Sequence, residues 1–162
     1  MYDTILLPTD GSGPSEAARD HALGLAAAYG ATLHVIYVVD DDALRAARID
    51  SDVVVEGFEA EGESLVGQVA AAAAEDSVDC ETAVLHGHPH DVIVEYATDH
   101  GVDLVVMGTH GRHGVSRFLL GSVTERVVRT SDIPVLTVRS EDEDIESEDG
   151  GDQASEAVED GT

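Results

Sequence analysis

Four positions in one short segment carry the strongest chemical signal in the sequence. Gly108 and Gly111 are separated by two residues, and Gly121 and Ser122 follow after nine more. Glycines tolerate positive φ and let backbone N–H groups approach a ligand closely. A helix that begins at Ser122 presents unpaired N–H groups and the positive end of its dipole. A turn followed by an ordinary helix start is the alternative, but the four features together favour a cradle for nucleotide phosphates.

The same segment lacks the signs of a catalytic centre. Arg112 and Arg117 lie inside it and add positive charge, and His110 and His113 flank the glycines. Neither histidine has a carboxylate in the local sequence to orient it as a general base. The chain contains no lysine, so it has no Walker A phosphate lysine, and no nucleophile-elbow pattern is present. These features favour nucleotide binding over catalysis, and we predict no metal ligands or catalytic residues.

Other candidate ligands are weaker. His86, His88 and His90 alternate, so two or three of them could face one side of an extended segment and bind Zn²⁺. Pro89 interrupts that segment, which favours surface histidines instead. Cys80 is the single cysteine, so an intrachain disulfide is impossible, and we interpret it as a small apolar residue.

The net charge is extreme. The 162 residues include 34 acidic residues and eight basic ones, all arginine, which gives a net charge of −26. This charge argues against nucleic acids and anionic membranes as partners, because their phosphates would be repelled.

Residues 140–162 hold eleven of the acidic residues and no arginine, and we predict a disordered acidic tail there. Residues 1–139 contain the other 23 acidic residues and all eight arginines, so their net charge is −15. A solvated surface with an acidic tail is one explanation, and adaptation to a high-salt cytoplasm is the other. The complete absence of lysine favours the second.

Hydrophobic patterns alternate between strands and helices along residues 1–139. Short apolar or β-branched runs predict strands over 2–7, 32–39, 80–85, 102–107 and 134–139. Capping residues and helical spacing predict helices over 12–29, 52–75, 91–100 and 122–130. Residues 43–51 show no periodicity and predict a mobile excursion.

This alternation predicts one α/β domain, a doubly wound three-layer sandwich with a parallel sheet between two layers of helices. The loops 8–14 and 108–121 then lie at the carboxyl edge of the sheet, where such folds bind ligands. No apolar run reaches the roughly 20 residues of a membrane span, and the N-terminus has no secretory pattern. A cytoplasmic location is therefore expected.

The spacing G-x2-G-x9-G-(S/T) after the fourth strand resembles the ATP-binding members of the universal stress protein family. The resemblance extends over nearly all of residues 2–139 and includes the segments Pro8-Thr9-Asp10, Val38-Val39-Asp40, Gly87-x-Pro89, Met107-Gly108 and Pro134-Val135. It implies a five-stranded parallel sheet in the order 3-2-1-4-5 and ATP as ligand, with Mg²⁺. It also implies a homodimer through the terminal strand 134–139, which is apolar and would be prone to aggregate as an exposed edge.

The resemblance also implies individual contacts. Asp10 corresponds to the carboxylate that contacts the ribose or adenine, although turn formation or helix capping is the general alternative for such a residue. Pro8, Thr9 and Val38 correspond to the adenine pocket and Met107 to its floor. The implied contacts of the phosphate loop are Gly108, His110, Gly111, Gly121, Ser122 and Val123.

Three functions follow from these features. The first is an ATP-binding regulatory or stress-resistance protein. The second is an enzyme that slowly hydrolyses ATP or transfers a nucleotidyl group, with His110, His113 or a metal-bound water as its base. The third is an interaction module without nucleotide, in which the acidic tail or the dimer surface does the work.

Overall fold

A computed structural model describes residues 1–111 and 119–140. The strands in these residues are β1 (Thr4–Pro8), β2 (Thr32–Asp40), β3 (Cys80–Gly87), β4 (Leu104–Gly108) and β5 (Val135–Val138). The helices are α1 (Gly13–Tyr29), α2 (Asp41–Ala46), α3 (Asp52–Glu75), α4 (Pro89–Asp99) and α5 (Ser122–Thr130). Arg112, His113 and Arg117 and the acidic tail beyond Ser140 lie outside the described residues. None of the described helices is long and apolar enough to cross a membrane.

The strands form one parallel sheet in the order β3-β2-β1-β4-β5, as predicted. In its register, Ile5 of β1 lies beside Leu33 of β2 and Leu104 of β4. The chain leaves β1 toward one side of the sheet and β4 toward the other. The carboxyl ends of these two strands therefore border the crevice at which doubly wound sheets bind ligands.

Helices cover both faces because the central strands are apolar on both. Ile5 and Leu7 point toward α1 and α3, whereas Leu6 points toward α4 and α5, and all three side chains are fully buried. An all-parallel sheet requires this two-sided burial. The helical face of α1 is built from alanines, Ala18, Ala22 and Ala26, so this helix lies close to the sheet.

One element contradicts the sequence analysis. Residues 43–51 were expected to be irregular, but α2 occupies Asp41–Ala46. The Asp40 carboxylate accepts hydrogen bonds from the amides of Asp42 and Ala43, at 3.0 and 3.1 Å, and so caps the helix. The helix has no buried residue, so it leaves no hydrophobic period in the sequence. The consecutive aspartates Asp40, Asp41 and Asp42 are a capping signal that the sequence analysis did not use.

β2 carries a buried histidine that hydrophobic patterning overlooked. His34 is 6% exposed, and a 2.9 Å hydrogen bond joins its Nδ1 to the Tyr96 hydroxyl of α4. Its Nε2 lies 3.8 Å from the Glu81 carboxylate, and the His100 ring is 5.5 Å away between centroids. Burial lowers the pKa of His34; Glu81 opposes that shift and His100 adds to it.

This environment predicts an acid-sensitive fold. Since the pKa of His34 is lowered in the folded state, the unfolded chain takes up the proton first as the pH falls below about 6.5. Stability at high pH is therefore lost on acidification, by at most about 1.4 kcal/mol per pH unit from this group. In His34→Gln, which keeps a polar group for Tyr96, the loss of unfolding free energy between about pH 7.5 and 5.5 should be smaller.

The control is His21→Gln, because His21 is an exposed histidine on α1. Denaturant unfolding at both pH values measures the effect. An identical pH dependence in wild type and His34→Gln would contradict the assignment.

Candidate functional site

The loop after β1 is held by hydroxyl groups. The Thr9 amide continues the ladder by donating to the Ile36 carbonyl at 2.9 Å, and the Thr9 hydroxyl lies 2.7 Å from that of Ser15. The Ser12 side chain caps α1 by accepting from the Ser15 amide at 3.3 Å. The start of α1 is thereby fixed against the end of β1.

Asp10 has a structural role within this loop. Its Oδ1 accepts a hydrogen bond from the Ser12 amide at 2.9 Å, which forms the type of turn that short carboxylates favour. Turn formation, the general alternative given for Asp10 in the sequence analysis, is therefore correct for its Oδ1 atom. Its Oδ2 points elsewhere, toward the loop after β4.

Gly108 lets α1 approach the end of β4. A Cβ on this residue would lie 2.7 Å from the carbonyl carbon and the Cβ of Pro14 and 2.9 Å from the Ser15 amide nitrogen. Backbone atoms cannot give way at such distances, so a glycine is required. Of the two properties of glycine that the sequence analysis named, tolerance of positive φ is not used at Gly108 or Gly111. Glycine is needed at these two positions because a Cβ would clash with neighbouring atoms, and not because the backbone is left-handed.

Gly111 brings the two loops into contact. A Cβ on Gly111 would lie 2.5 Å from Oδ2 of Asp10, so this carboxylate oxygen packs directly against the glycine. Asp10 follows β1 and Gly111 follows β4, and their contact spans the crevice between those strands. Residues about 100 positions apart in the chain therefore form one site.

The start of α5 is fastened to the same loop. The Gly121 amide donates to the Thr109 carbonyl at 2.7 Å, and the buried Thr124 hydroxyl donates to the Gly108 carbonyl at 2.8 Å. A Cβ on Gly121 would lie only 2.9 Å from the His110 Cα. Gly121 is also the N-cap of α5 and makes no side-chain hydrogen bond to the first amides of this helix. An anion placed there would receive those N–H groups and the helix dipole.

The remaining predicted contacts lie on the α4/α5 face of the sheet. Met107 is 5% exposed and belongs to the same apolar cluster as Leu6 and Ile36. Val38 and Val123 are partly buried against that cluster. Pro8 ends β1 beside Ile36. The structure thus gathers the predicted base-contacting residues at the carboxyl ends of three adjacent strands, with an apolar layer beneath them.

Sequence analysis missed the hydroxyl groups that fix the site. Ser15, Thr109 and Thr124 are buried polar residues in the walls of the crevice. Thr124 lies on the first turn of α5, where a hydroxyl residue commonly caps its own helix. Its hydroxyl instead donates to the carbonyl of Gly108, sixteen residues earlier, and no sequence pattern predicts that bond.

The histidines near β3 bind carboxylates. His86 Nε2 lies 2.7 Å from Glu59 Oε1 and its Nδ1 lies 3.5 Å from Asp41 Oδ1, and His88 pairs with Asp42. His86 and His88 are exposed, as expected for surface histidines, whereas His90 is half-buried beside Asp91. His86 and His88 attach α2 and α3 to the end of β3. Within residues 1–111 and 119–140, no three or more His, Cys, Asp or Glu side chains are arranged to hold a metal ion.

A second concavity lies between α4 and α5. It is lined by His90, Asp91, Val94, Glu95, Arg126, Arg129 and Thr130, and includes none of the residues predicted to contact a nucleotide.

Comparison with known proteins identifies the relatives of this architecture. A model of the universal stress protein family matches residues 1–139. The chain is 38% identical over 141 residues to the universal stress protein MJ0531 of Methanocaldococcus jannaschii, an alignment that covers 86% of this chain and 83% of that protein.

Solved structures agree with the sequence comparison. The structure of MJ0577, a universal stress protein of the same archaeon, superposes with a TM-score of 0.78 at 29% identity and covers 86% of this chain and 96% of its own. A universal stress protein solved in complex with cAMP superposes with a TM-score of 0.63 at 28% identity, over 86% of this chain and 98% of its own.

The contact between Asp10 and Gly111 generates a test. Gly111→Ala places a methyl group 2.5 Å from Asp10 Oδ2. Because that atom ends a short side chain, the carboxylate can rotate away at the cost of one hydrogen bond, from the Ser12 amide, which is worth about 1 kcal/mol. If the crevice binds a nucleotide, its affinity should then fall at least about tenfold while the thermal midpoint falls by only a few degrees.

Gly24→Ala is the matched control, since a Cβ on this exposed helical glycine meets nothing within 4 Å. This change should leave affinity unaltered and stabilise α1 by up to about 1 kcal/mol. Titration calorimetry and thermal melts of both variants decide the matter. Wild-type affinity in Gly111→Ala would show that the contact does not shape the site.

Proposed function

Because the chain belongs to the universal stress protein family, we propose that it binds ATP in the crevice between the loops after β1 and β4. In this proposal the protein is a nucleotide-responsive regulatory or stress-resistance protein, and occupancy of the crevice is the signal. The observation that carries the proposal is the convergence of Asp10, Gly111 and the N-terminus of α5, whose N-cap is a glycine.

Each part of the nucleotide has a chemically suitable neighbour. The phosphates accept hydrogen bonds from the amides of Ser122 and Val123 and lie against Gly121 and the loop from Gly108 to Gly111. The Asp10 carboxylate accepts from the ribose hydroxyls. The adenine lies against Pro8, Thr9, Val38 and Met107. The relative solved with cAMP supports an adenine nucleotide as the ligand class.

Charge makes Mg²⁺ part of the proposal. ATP is strongly anionic, the chain carries −26, and Asp10 adds a carboxylate inside the crevice. Mg²⁺ keeps several waters and is commonly held by phosphates together with one or two carboxylates. The Oδ2 atom of Asp10 faces the phosphate loop and suits this role, directly or through water. Bound in this way, the ion would offset the repulsion between the phosphates and the protein.

Binding without efficient catalysis is the preferred form of the proposal. His110 Nδ1 lies 3.3 Å from the Thr109 hydroxyl, and the sequence beside His110 offers no carboxylate that would orient it as a general base. The alternative is slow ATP hydrolysis or nucleotidyl transfer through His110, His113 or a metal-bound water. Turnover of ATP by purified protein that disappears in His110→Ala would favour this alternative.

Asp10→Asn tests the binding proposal. The asparagine Oδ1 can still accept from the Ser12 amide, so the turn is preserved. The atom facing Gly111 becomes an amide that no longer accepts from ribose or attracts Mg²⁺. We expect saturable binding of one ATP per wild-type chain in calorimetry with Mg²⁺ at multimolar KCl, and at least about tenfold weaker binding in the variant.

Asp20→Asn is the matched control, because this exposed aspartate on α1 changes the charge equally and lies outside the crevice. It should bind ATP as wild type does. No saturable binding by the wild type at millimolar ATP would sink the proposal and favour the nucleotide-free interaction module.

We further propose a symmetric homodimer through residues 134–139. β5 is an edge strand that pairs with β4 alone among the described strands. Leu136 on this strand is 37% exposed, and Val128 on the adjacent α5 is 44% exposed. An unpaired apolar edge is a template for pairing with another strand. Dimerisation would give the backbone N–H and C=O groups at the edge of β5 hydrogen-bond partners, and it would bury Leu136 and Val128.

Leu136→Glu should therefore convert a dimer into a monomer. A carboxylate on each of two paired edges would be buried beside its symmetry mate, which is unfavourable. Light scattering at multimolar salt measures the mass. Val53→Glu is the control, since Val53 is 76% exposed at the start of α3, and it should remain dimeric. A monomeric wild type at that salt concentration would contradict the dimer.

The net charge of the chain suits a cell with a high internal salt concentration. We propose that the protein works in the cytoplasm of a cell with high internal salt, without nucleic acid or membrane partners. At about 1 M salt the Debye length is only about 3 Å, so a chain of this charge no longer repels itself strongly.

A further inference from the structure

The short helix α2 is attached to the rest of the domain mainly through charged side chains. None of its six residues is buried, and Leu44 is the one that packs, partly buried, against the hydrophobic core. Its first two residues, Asp41 and Asp42, contact histidines that belong to other elements. The helix begins directly after Asp40, the last residue of β2, and so lies at the carboxyl edge of the sheet.

His86, near the end of β3, lies between two helices. Its Nε2 is 2.7 Å from Glu59 Oε1 of α3, and its Nδ1 is 3.5 Å from Asp41 Oδ1 of α2. A neutral imidazole has one N–H group and can donate to only one of these carboxylates, whereas the imidazolium ion has two and can donate to both. Protonated His86 therefore joins α2 to α3 through β3, and neutral His86 leaves two carboxylates facing an uncharged ring.

His88, the N-cap residue of α4, makes the second contact with α2. Its Nδ1 pairs with Oδ2 of Asp42. Arg45 lies 3.7 Å from Asp42 as well, but both belong to α2, so their pair does not attach the helix to another element. From α4, the ring of His90 lies 6.3 Å from that of His88 between centroids, and its Nε2 lies 3.3 Å from Asp91.

We propose that His86 and His88 form a pH-dependent latch for α2. A histidine side chain changes its charge between about pH 5 and 8. At the lower end of this range both rings are charged and hold Asp41 and Asp42. At the upper end that attraction is lost, and α2 detaches more often. The latch strengthens as the pH falls, which is the opposite sign to the effect of His34 on global stability.

The contacts are close enough to act in salt. The side chains of His86 and Asp41 are 38% and 37% exposed. Partly buried ion pairs are screened less than fully exposed charges. The latch does not require ATP, but it acts beside the crevice, because Asp40 caps α2 and lies two residues after Val38.

The test removes the charges and keeps hydrogen-bond donors. In the double variant His86→Gln and His88→Asn, side-chain amide nitrogens take the places of Nε2 and Nδ1 but cannot become charged. NMR measures opening of α2 as amide exchange at Ala47, Arg48 and Ile49, whose N–H groups donate to carbonyls of α2. Comparison of the two chains at the same pH cancels the intrinsic pH dependence of exchange.

We expect these three amides to exchange at least about threefold faster in the double variant than in wild type at about pH 5.5, and equally fast at about pH 8.0. His21→Gln is the control, because His21 is an exposed histidine on α1, and it should match wild type at both pH values. Circular dichroism monitors folding of every chain at both.

Trypsin gives a second measurement. The chain has no lysine, and Arg45 and Arg48 are the arginines in and directly after α2. Cleavage after these residues should be faster in the double variant than in wild type at about pH 6, and equally fast at about pH 8.

Asp41→Asn removes charge from the other side of the latch and keeps the test open if the double variant does not fold. Its exchange rates should differ from those of wild type more at about pH 5.5 than at about pH 8.0.

Equal exchange in wild type and the double variant at both pH values would overturn the latch. A difference as large at about pH 8.0 as at about pH 5.5 would also overturn it, because the contacts would then act without the histidine charge. Neither result bears on ATP binding, which the calorimetry of Asp10→Asn tests separately.

Discussion

The close approach of the loops after β1 and β4 is the constraint on which the candidate site depends. Gly108 admits the backbone of Pro14 and Ser15, and Gly111 admits the carboxylate of Asp10. A side chain at either position would separate the walls of the crevice. The hydroxyl of Thr124 and the carbonyl of Thr109 then fasten α5 to the same loop. Glycines supply the space, and the buried hydroxyl groups of Ser15 and Thr124 hold the geometry of the two loops.

Much of this architecture can be predicted from the sequence, for physical reasons. Residues 52–75 and 122–130 have helical spacing and recognisable starts, and the structure has helices over these residues. The order of the strands follows from the family resemblance together with the handedness of crossovers. The α2 helix escaped notice because it is short and buries nothing, so only its capping aspartates mark it. His34 escaped because a single polar residue does not interrupt an apolar strand pattern, and its partners Tyr96 and Glu81 are distant in the sequence.

Individual roles within the site were harder to predict than its location. The glycines at 108 and 111 are predictable from their spacing, but the reason for them is close packing rather than positive φ. Asp10 serves a turn with one oxygen and faces the crevice with the other, which no pattern of residue types distinguishes. The net charge of the chain opposes the binding of an anion at the site. Under the proposed function an anionic ligand enters a protein of net charge −26, and for that reason the proposal includes screening by salt and neutralisation by Mg²⁺.

An amide NMR titration of the labelled full-length protein with Mg²⁺ and ATP at multimolar KCl tests directly whether nucleotide binds between the loops after β1 and β4. Binding there should produce saturable shifts at the amides of Asp10, Gly111, Ser122 and Val123, which lie on both sides of the crevice. Shifts confined to the separate concavity near His90, Arg126 and Arg129, or no shifts at millimolar ATP, would contradict it.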